Sequence, residues 1–222
     1  GELVIDVNNL NVLDRSSLNL SSSSAGDVGS LSIKSAETIV TGDSLISTES
    51  KHGNGGAIGI QSLDALKVDS SKITAQAKKD GGSVTFANTG SMFLRDSIVS
   101  AKSGQDGGNI FIEAPDTLVL QRSRLSANAI HGHGGYILIT ADGFLPSIET
   151  SITASSEFGV QGTVDIRTPD TDVGSGLVVL PETLVGKNIN LAERCALRLV
   201  DDVSSFFMTG QGGVPVWASH SY

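Results

Sequence analysis

Pairs of bulky apolar residues recur along this chain at nearly constant intervals, and each pair follows a glycine. The second and fourth residues after each glycine are apolar in all seven instances, as expected for a half-buried β-strand. The glycines are 28, 27, 26, 26, 27 and 27 residues apart, which is typical of stacked coils. The glycines and the pairs are Gly1 with Leu3/Ile5, Gly29 with Leu31/Ile33, Gly56 with Ile58/Ile60, Gly82 with Val84/Phe86, Gly108 with Ile110/Ile112, Gly135 with Ile137/Ile139, and Gly162 with Val164/Ile166.

Each coil contains two further apolar segments, separated by glycine, proline, aspartate and serine residues that favour turns. The sequence therefore predicts an all-β fold, a right-handed parallel β-helix with three short strands per coil of about 27 residues. A leucine-rich repeat has a similar period, but no coil shows its asparagine ladder or a helical segment. The second strand recurs as Leu66/Val68, Met92/Leu94 and Leu118/Leu120, and the third points inward at Leu18, Leu45, Ile73, Ile98, Leu125 and Ile152.

The repeat pattern stops after Val164/Ile166, which divides the chain into two regions. We expect residues 1–170 to form the β-helix and residues 171–222 to form a capping segment for its open end. Pro181 predicts the start of a short helix in this cap. We assign a structural role to Gly29, Gly56, Gly82, Gly108, Gly135 and Gly162, which supply left-handed or close-packed backbone, and to Cys195.

Charge and cysteine content narrow the classes of partner. The net charge is −9 and the pI is near 4.8, so we expect no nucleic-acid partner. The sequence has no run of eighteen apolar residues, so we expect no insertion into a membrane. The single Cys195 lacks an internal disulfide partner, which leaves a buried small hydrophobe or an intermolecular disulfide or anchor. Low cysteine content fits an exported protein that crosses a membrane unfolded. A chain that opens in mid-repeat is expected to be part of a longer protein.

Aspartates in turns are the main candidates for chemistry. Asp43, Asp69 and Asp96 lie in the second turn of their coils, and such residues could stack in adjacent coils and bind Ca²⁺ through oxygen ligands. Aspartate is also a preferred turn residue, so the simpler interpretation is structural, and we expect no cofactor. Three more carboxylates lie eight residues past a repeat glycine, at Asp64, Asp116 and Asp170.

Histidines offer a second candidate. His131 and His133 lie in one glycine-containing turn, and His52 lies in the equivalent turn two to three coils away. A surface metal site is one interpretation, and exposed turn residues are the other. We predict no catalytic residue.

The coils and the tail resemble filamentous-haemagglutinin-like large exoproteins, which belong to two-partner secretion systems. The coils share the form Gly-x-Gly-Gly-x-Ile-x-Ile, and the tail is similar to the C-terminal signature of the large cyanobacterial members. The matching coil segments are 53–60, 106–112 and 132–139, and the matching tail segments are 151–166, 180–185, 195–196, 204–206 and 209–215.

This resemblance implies a bacterial protein that passes unfolded through an outer-membrane transporter, folds outside the cell and serves in adhesion or aggregation. The chain would be the distal C-terminal part of such a protein. We therefore expect a secreted, cell-surface, non-catalytic structural or adhesive segment that contacts a glycan or a surface protein.

Two alternatives remain. Copies of the chain could associate end to end through unpaired strand edges and form a filament. The chain could also be a polysaccharide-cleaving β-helix lyase or hydrolase, which needs a cleft with a carboxylate pair and a basic residue. Coils of 26–28 residues leave no room for the long loops that would wall such a cleft.

Overall fold

The computed structural model describes residues 1–23, 26–113 and 115–169, and every regular element in these ranges is a β-strand. The strands are β1 (Glu2–Asp6), β2 (Asn9–Val12), β3 (Ser17–Ser22), β4 (Ser30–Thr41), β5 (Leu45–Ser50), β6 (Ala57–Asp69), β7 (Lys72–Ala77), β8 (Ser83–Asn88), β9 (Ser91–Arg95), β10 (Ile98–Ser100), β11 (Asn109–Glu113), β12 (Thr117–Gln121), β13 (Arg124–Ser126), β14 (Tyr136–Thr140), β15 (Gly143–Pro146), β16 (Ser151–Thr153) and β17 (Thr163–Arg167).

The strands stack as a parallel β-solenoid of about six coils, which confirms the predicted fold class. The first strands of successive coils pair at offsets of 28, 27, 26, 26, 27 and 27 residues, the same intervals that separate the repeat glycines. First and second strands belong to one eleven-stranded sheet, and third strands form a six-stranded sheet. The long strands β4 and β6 continue from the first face into the second.

The core consists of apolar ladders that run through the stack. Inward pairs from Leu31/Ile33 to Ile137/Ile139 are at most 1% exposed, and the second-strand residues Leu66, Met92 and Leu118 are fully buried. Complete burial of one such side chain stabilises the fold by about 1.5–3 kcal/mol. In the first and last coils the equivalent residues are less covered, with Leu3 at 40% and Val164 at 39% exposure.

The third strand differs from the prediction in two coils. Ile46 and Val99 are the inward residues and are fully buried, whereas the predicted Leu45 and Ile98 are only half-buried. The register aligns both buried residues with Ile73. The prediction was wrong here because each position has two adjacent bulky residues, so alternation along the strand does not define which one points inward.

Close backbone packing explains the repeat glycines. A Cβ atom built on Gly56, Gly82, Gly108, Gly135 or Gly162 would lie 1.8–2.2 Å from the carbonyl oxygen of the repeat glycine one coil earlier. Among the described glycines only Gly42 has a left-handed backbone, with φ of 73°. The predicted structural role of the repeat glycines therefore comes from the space they leave for the neighbouring coil.

The predicted capping segment 171–222, with its short helix and Cys195, lies outside the described residues. Within the ranges that the structure describes, no helix has the length and hydropathy needed to cross a membrane.

Candidate functional site

Two of the predicted calcium ligands bind arginines of the next coil instead. Asp69 accepts two hydrogen bonds from Arg95, one of them from Nε at 3.0 Å. Asp96 accepts two from Arg122, from Nε at 2.6 Å and from Nη2 at 2.7 Å. These contacts lower the pKa of each carboxyl group, chiefly through the hydrogen bond from its arginine. Both carboxylates are therefore charged at neutral pH and already neutralised by a cation.

The three aspartates also do not form one continuous column. Asp69 ends a strand and aligns with Thr41, so Asp43 is not its neighbour in the ladder. Asp43 and Asp96 share a left-handed turn position, with φ of 60° and 49°, and Ser70 occupies that position in the coil between them. The described residues contain no group of three or more His, Cys, Asp or Glu side chains that could hold a metal ion.

Buried serines follow these turn residues and explain part of the serine content. The backbone N–H groups of Ser44 and Ser71 donate to the hydroxyl of the corresponding serine in the next coil, at 3.1 and 3.3 Å. The Ser71 and Ser97 hydroxyls donate to the carbonyls of Asp69 and Arg95. Because their hydrogen-bonding capacity is used inside the stack, these hydroxyls have a structural role and are poor candidates for nucleophiles.

The histidines do not converge on one site. His52 and His131 lie three coils apart, roughly 14 Å at the usual strand spacing, which is too far for a shared metal ion. The His131 ring stacks on Phe158, with the ring centroids 5.5 Å apart. The backbone N–H of His133 donates to the Asp106 carboxylate at 2.7 Å and is the main reason that the pKa of Asp106 is lowered.

Asp64 and Asp116 are exposed and lie two coils apart. Asp170 and His220 fall outside the described residues. Asp64 and Asp116 are therefore separated by one intervening coil, and neither forms an ion pair with a described residue.

A groove of about 630 Å³ lies in the described surface beyond the third strands, and we call it the triplet groove. Three consecutive residues from each of four successive coils line it, at 76–78, 102–104, 128–130 and 155–157. The middle residues pair along the stack through the bridges Ala77↔Ser103, Ser103↔Ala129 and Ala129↔Ser156.

Exposure divides the triplet groove into a floor and two walls. The floor residues Ser103, Ala129 and Ser156 are each 6% exposed, and the residues on either side of them are more exposed. One wall contains Gln76, Lys102, Asn128 and Ser155, and the other contains Lys78, Gly104, Ile130 and Glu157. The groove therefore has small residues at its base, with charged and amide groups along its edges.

Hydrogen bonds decide which of these groups are free to bind a ligand. The Ser156 hydroxyl donates to the carbonyl of Gly132 at 2.6 Å, and the Ser103 hydroxyl donates to the carbonyl of Asp106. The Asn128 side-chain oxygen accepts from the backbone N–H of Ser155 at 2.9 Å, so its amide N–H groups face no competing described partner. Lys78 and Lys102 form no ion pair with any described residue.

Sequence reasoning missed this groove because its two lysines are 24 residues apart, a spacing that does not match the coil interval. They lie in successive coils but on opposite walls. That Lys78 and Lys102 line one groove follows only from the stacking of the coils.

The class of this protein is defined by its fold alone, which is a parallel β-solenoid. No protein family, no curated protein and no solved structure matches the chain.

Proposed function

We propose that this chain is a non-catalytic structural and adhesive segment of a secreted, filamentous bacterial surface exoprotein. The observation that supports the proposal is that the number of residues per coil is nearly constant. First strands pair at offsets of 26–28 residues through the whole described stack, with no inserted loop between coils. A stack of equal coils is suited to bear load or to display side chains to a partner, because each coil places equivalent surface residues at a regular spacing.

The outer faces support adhesion to an extended partner. Equivalent outward side chains repeat about every 4.8 Å along the stack, which suits a polymer better than a small molecule. The triplet groove in this surface extends over four successive coils. The resemblance of the coils and tail to filamentous-haemagglutinin-like exoproteins adds the cell-surface location and passage through an outer-membrane transporter to the proposal.

Adhesion of coated beads under flow tests this function. Beads that carry the chain are passed over cell layers and over surfaces coated with polysaccharide or protein, and the retained fraction is counted. Beads that carry Gly108→Leu serve as a control, because a bulky side chain at this close contact disrupts the stack. We expect retention of the wild-type beads only.

Two results would overturn the proposal. One is equal retention of wild-type and control beads on every surface. The other is the release of new reducing ends from a soluble polysaccharide incubated with the chain, which would favour the polysaccharide-cleaving alternative.

A further inference from the structure

The triplet groove concentrates positive charge on an otherwise acidic protein. The whole chain has a net charge of −9, yet Lys78 and Lys102 both line the groove, and among the described lining residues only Glu157 is acidic. Both lysines are exposed and free of described ion pairs. At an ionic strength of 0.15 M charges are screened beyond about 8 Å, so a ligand in the groove senses these lysines more than the distant net charge.

The shape of the groove indicates a linear ligand. Its four triplets are joined by parallel bridges, so it runs along the stack from coil to coil. The triplets repeat at the strand spacing of about 4.8 Å, which places donor groups at regular intervals along a chain-like ligand. Gln76 and Asn128 supply amide donors on the same wall as Lys102, in the coils before and after it.

We propose that the triplet groove binds a linear acidic polysaccharide, with carboxylate or sulfate groups on Lys78 and Lys102 and sugar hydroxyls on Gln76 and Asn128. The inference rests on the proposed adhesive function and gives it a ligand class. Exposed lysines pair with anions weakly, so affinity comes from several contacts along one polymer.

The floor of the groove argues against an extended peptide as the ligand. Its backbone groups pair between coils through Ala77, Ser103 and Ala129, so the floor offers no free strand edge for β-augmentation. The twelve lining residues include no aromatic ring, which argues against single-stranded nucleic acid, because its bases require stacking platforms. Sugar hydroxyls and acid groups need only the donors that the groove supplies.

Glu157 makes the charge of the triplet groove differ between its two ends. It lies in the last triplet, whereas the lysines lie in the first two. An acid group of the ligand is therefore attracted at one end of the groove and repelled at the other. Glu157→Gln is expected to tighten binding about twofold to threefold by removing this repulsion.

The test measures binding of the wild-type chain to immobilised carboxymethyl dextran, dextran sulfate and dextran by biolayer interferometry. These polymers share one backbone, so their comparison separates carboxylate from sulfate recognition and both from neutral sugar. We expect binding to one or both anionic polymers and none to dextran. Raising the salt from about 0.1 M to about 1 M should weaken it, because the Debye length falls from about 10 to about 3 Å.

A pair of charge-matched variants assigns the binding to the groove. Lys78→Gln/Lys102→Gln should weaken binding about tenfold. Lys34→Gln/Lys67→Gln removes the same charge from exposed positions outside the groove and should leave binding unchanged. Equal losses in both double variants, or no loss in the first, would overturn the proposal.

The bead assay separates this inference from the proposed function. If wild-type beads are retained but the chain binds neither anionic polymer, the ligand assigned to the triplet groove is wrong and the proposed adhesive function is still supported. Binding to an anionic polymer together with no bead retention would support the groove and count against the adhesive role.

Discussion

At Gly108 two neighbouring coils pack so closely that there is no room for a Cβ atom. A Cβ atom there would lie 1.9 Å from the carbonyl oxygen of Gly82 and 2.9 Å from the Cβ of Ala101. Neither contact is tolerable, and backbone that is paired on both sides has little freedom to move. The glycine therefore sets the distance between neighbouring backbones at this corner.

We expect Gly108→Ala to destabilise the fold by about 3 kcal/mol or more, as for other strongly overpacked sites. Thermal unfolding followed by circular dichroism measures the loss. Gly59→Ala is the matched control, because a Cβ atom on Gly59 has no atom within 4 Å, and it should be neutral or slightly stabilising. Equal melting temperatures for the two variants would contradict this account of the repeat glycines.

Asn88 is a second single residue with a measurable energetic effect. It is 1% exposed, and neither its side-chain nitrogen nor its side-chain oxygen has a hydrogen-bond partner among the residues that the structure describes. We expect Asn88→Leu to raise the free energy of unfolding by about 1–2 kcal/mol, because an apolar side chain of similar shape avoids the desolvation cost.

Ser62, which aligns with Asn88 in the neighbouring strand, provides the contrast. Its buried hydroxyl donates to Thr38 Oγ1 at 3.1 Å, so Ser62→Ala should lower stability by about 0.5–1.5 kcal/mol. Chemical denaturation of both variants should move their midpoints in opposite directions. A lower midpoint for Asn88→Leu would mean that its amide is satisfied after all.

At the scale of the element, arginine–aspartate pairs connect successive turns and should make stability depend on pH. The hydrogen bond from Arg122 lowers the pKa of Asp96 in the folded state. A carboxyl group of this kind stabilises the fold above its unfolded pKa of about 3.9, and that stability is lost as the pH falls through the lower folded pKa.

We expect the melting temperature of the wild type to fall below about pH 4, and that of Asp96→Asn to fall less steeply. Asparagine tolerates the left-handed turn, with φ of 49°, so the substitution keeps the backbone. Asp43→Asn is the control, since it changes the same turn position where no described arginine pairs with the carboxylate. An identical pH profile for Asp96→Asn and wild type would exclude the pair as a source of the dependence.

The register of the third strand can be tested with neighbouring residues. Ile46→Asp places an unpaired charge in the core and should cost about 4 kcal/mol or more, whereas Leu45→Asp faces outward and should cost about 1 kcal/mol or less. Melting temperatures of the two variants provide the comparison. A larger loss of stability for Leu45→Asp than for Ile46→Asp would instead support the register predicted from the sequence, in which Leu45 points inward.

The elements differ in how well their sequences define them. First strands were predictable because a repeat glycine fixes the start and the following residues alternate strictly, as in Ile110 and Ile112. Third strands are short and contain adjacent bulky residues such as Ile98 and Val99, so only pairing with neighbours defines the inward side. The triplet groove was not predictable, because Lys78 and Lys102 meet only after the coils stack.

At the scale of the molecule, the described coils form a chain of nearest-neighbour interactions. Each first strand pairs only with the first strands of the coils before and after it. Stability in such an arrangement is close to a sum over coils and their interfaces, so folding can start in any coil and spread to its neighbours. The apolar ladders of the core continue from coil to coil and keep these interfaces similar.

The constant coil length has a mechanical consequence. Hydrogen bonds between coils lie along the stack, so a pulling force applied to the two ends of the coiled region peels one coil at a time. Each detached coil releases 26–28 residues, equivalent to about 90 Å of extended chain. Single-molecule force spectroscopy should therefore record a sawtooth with steps near this length, and one abrupt release of the whole region would contradict it. A surface protein with this response would lengthen under shear in equal increments and absorb work at each step.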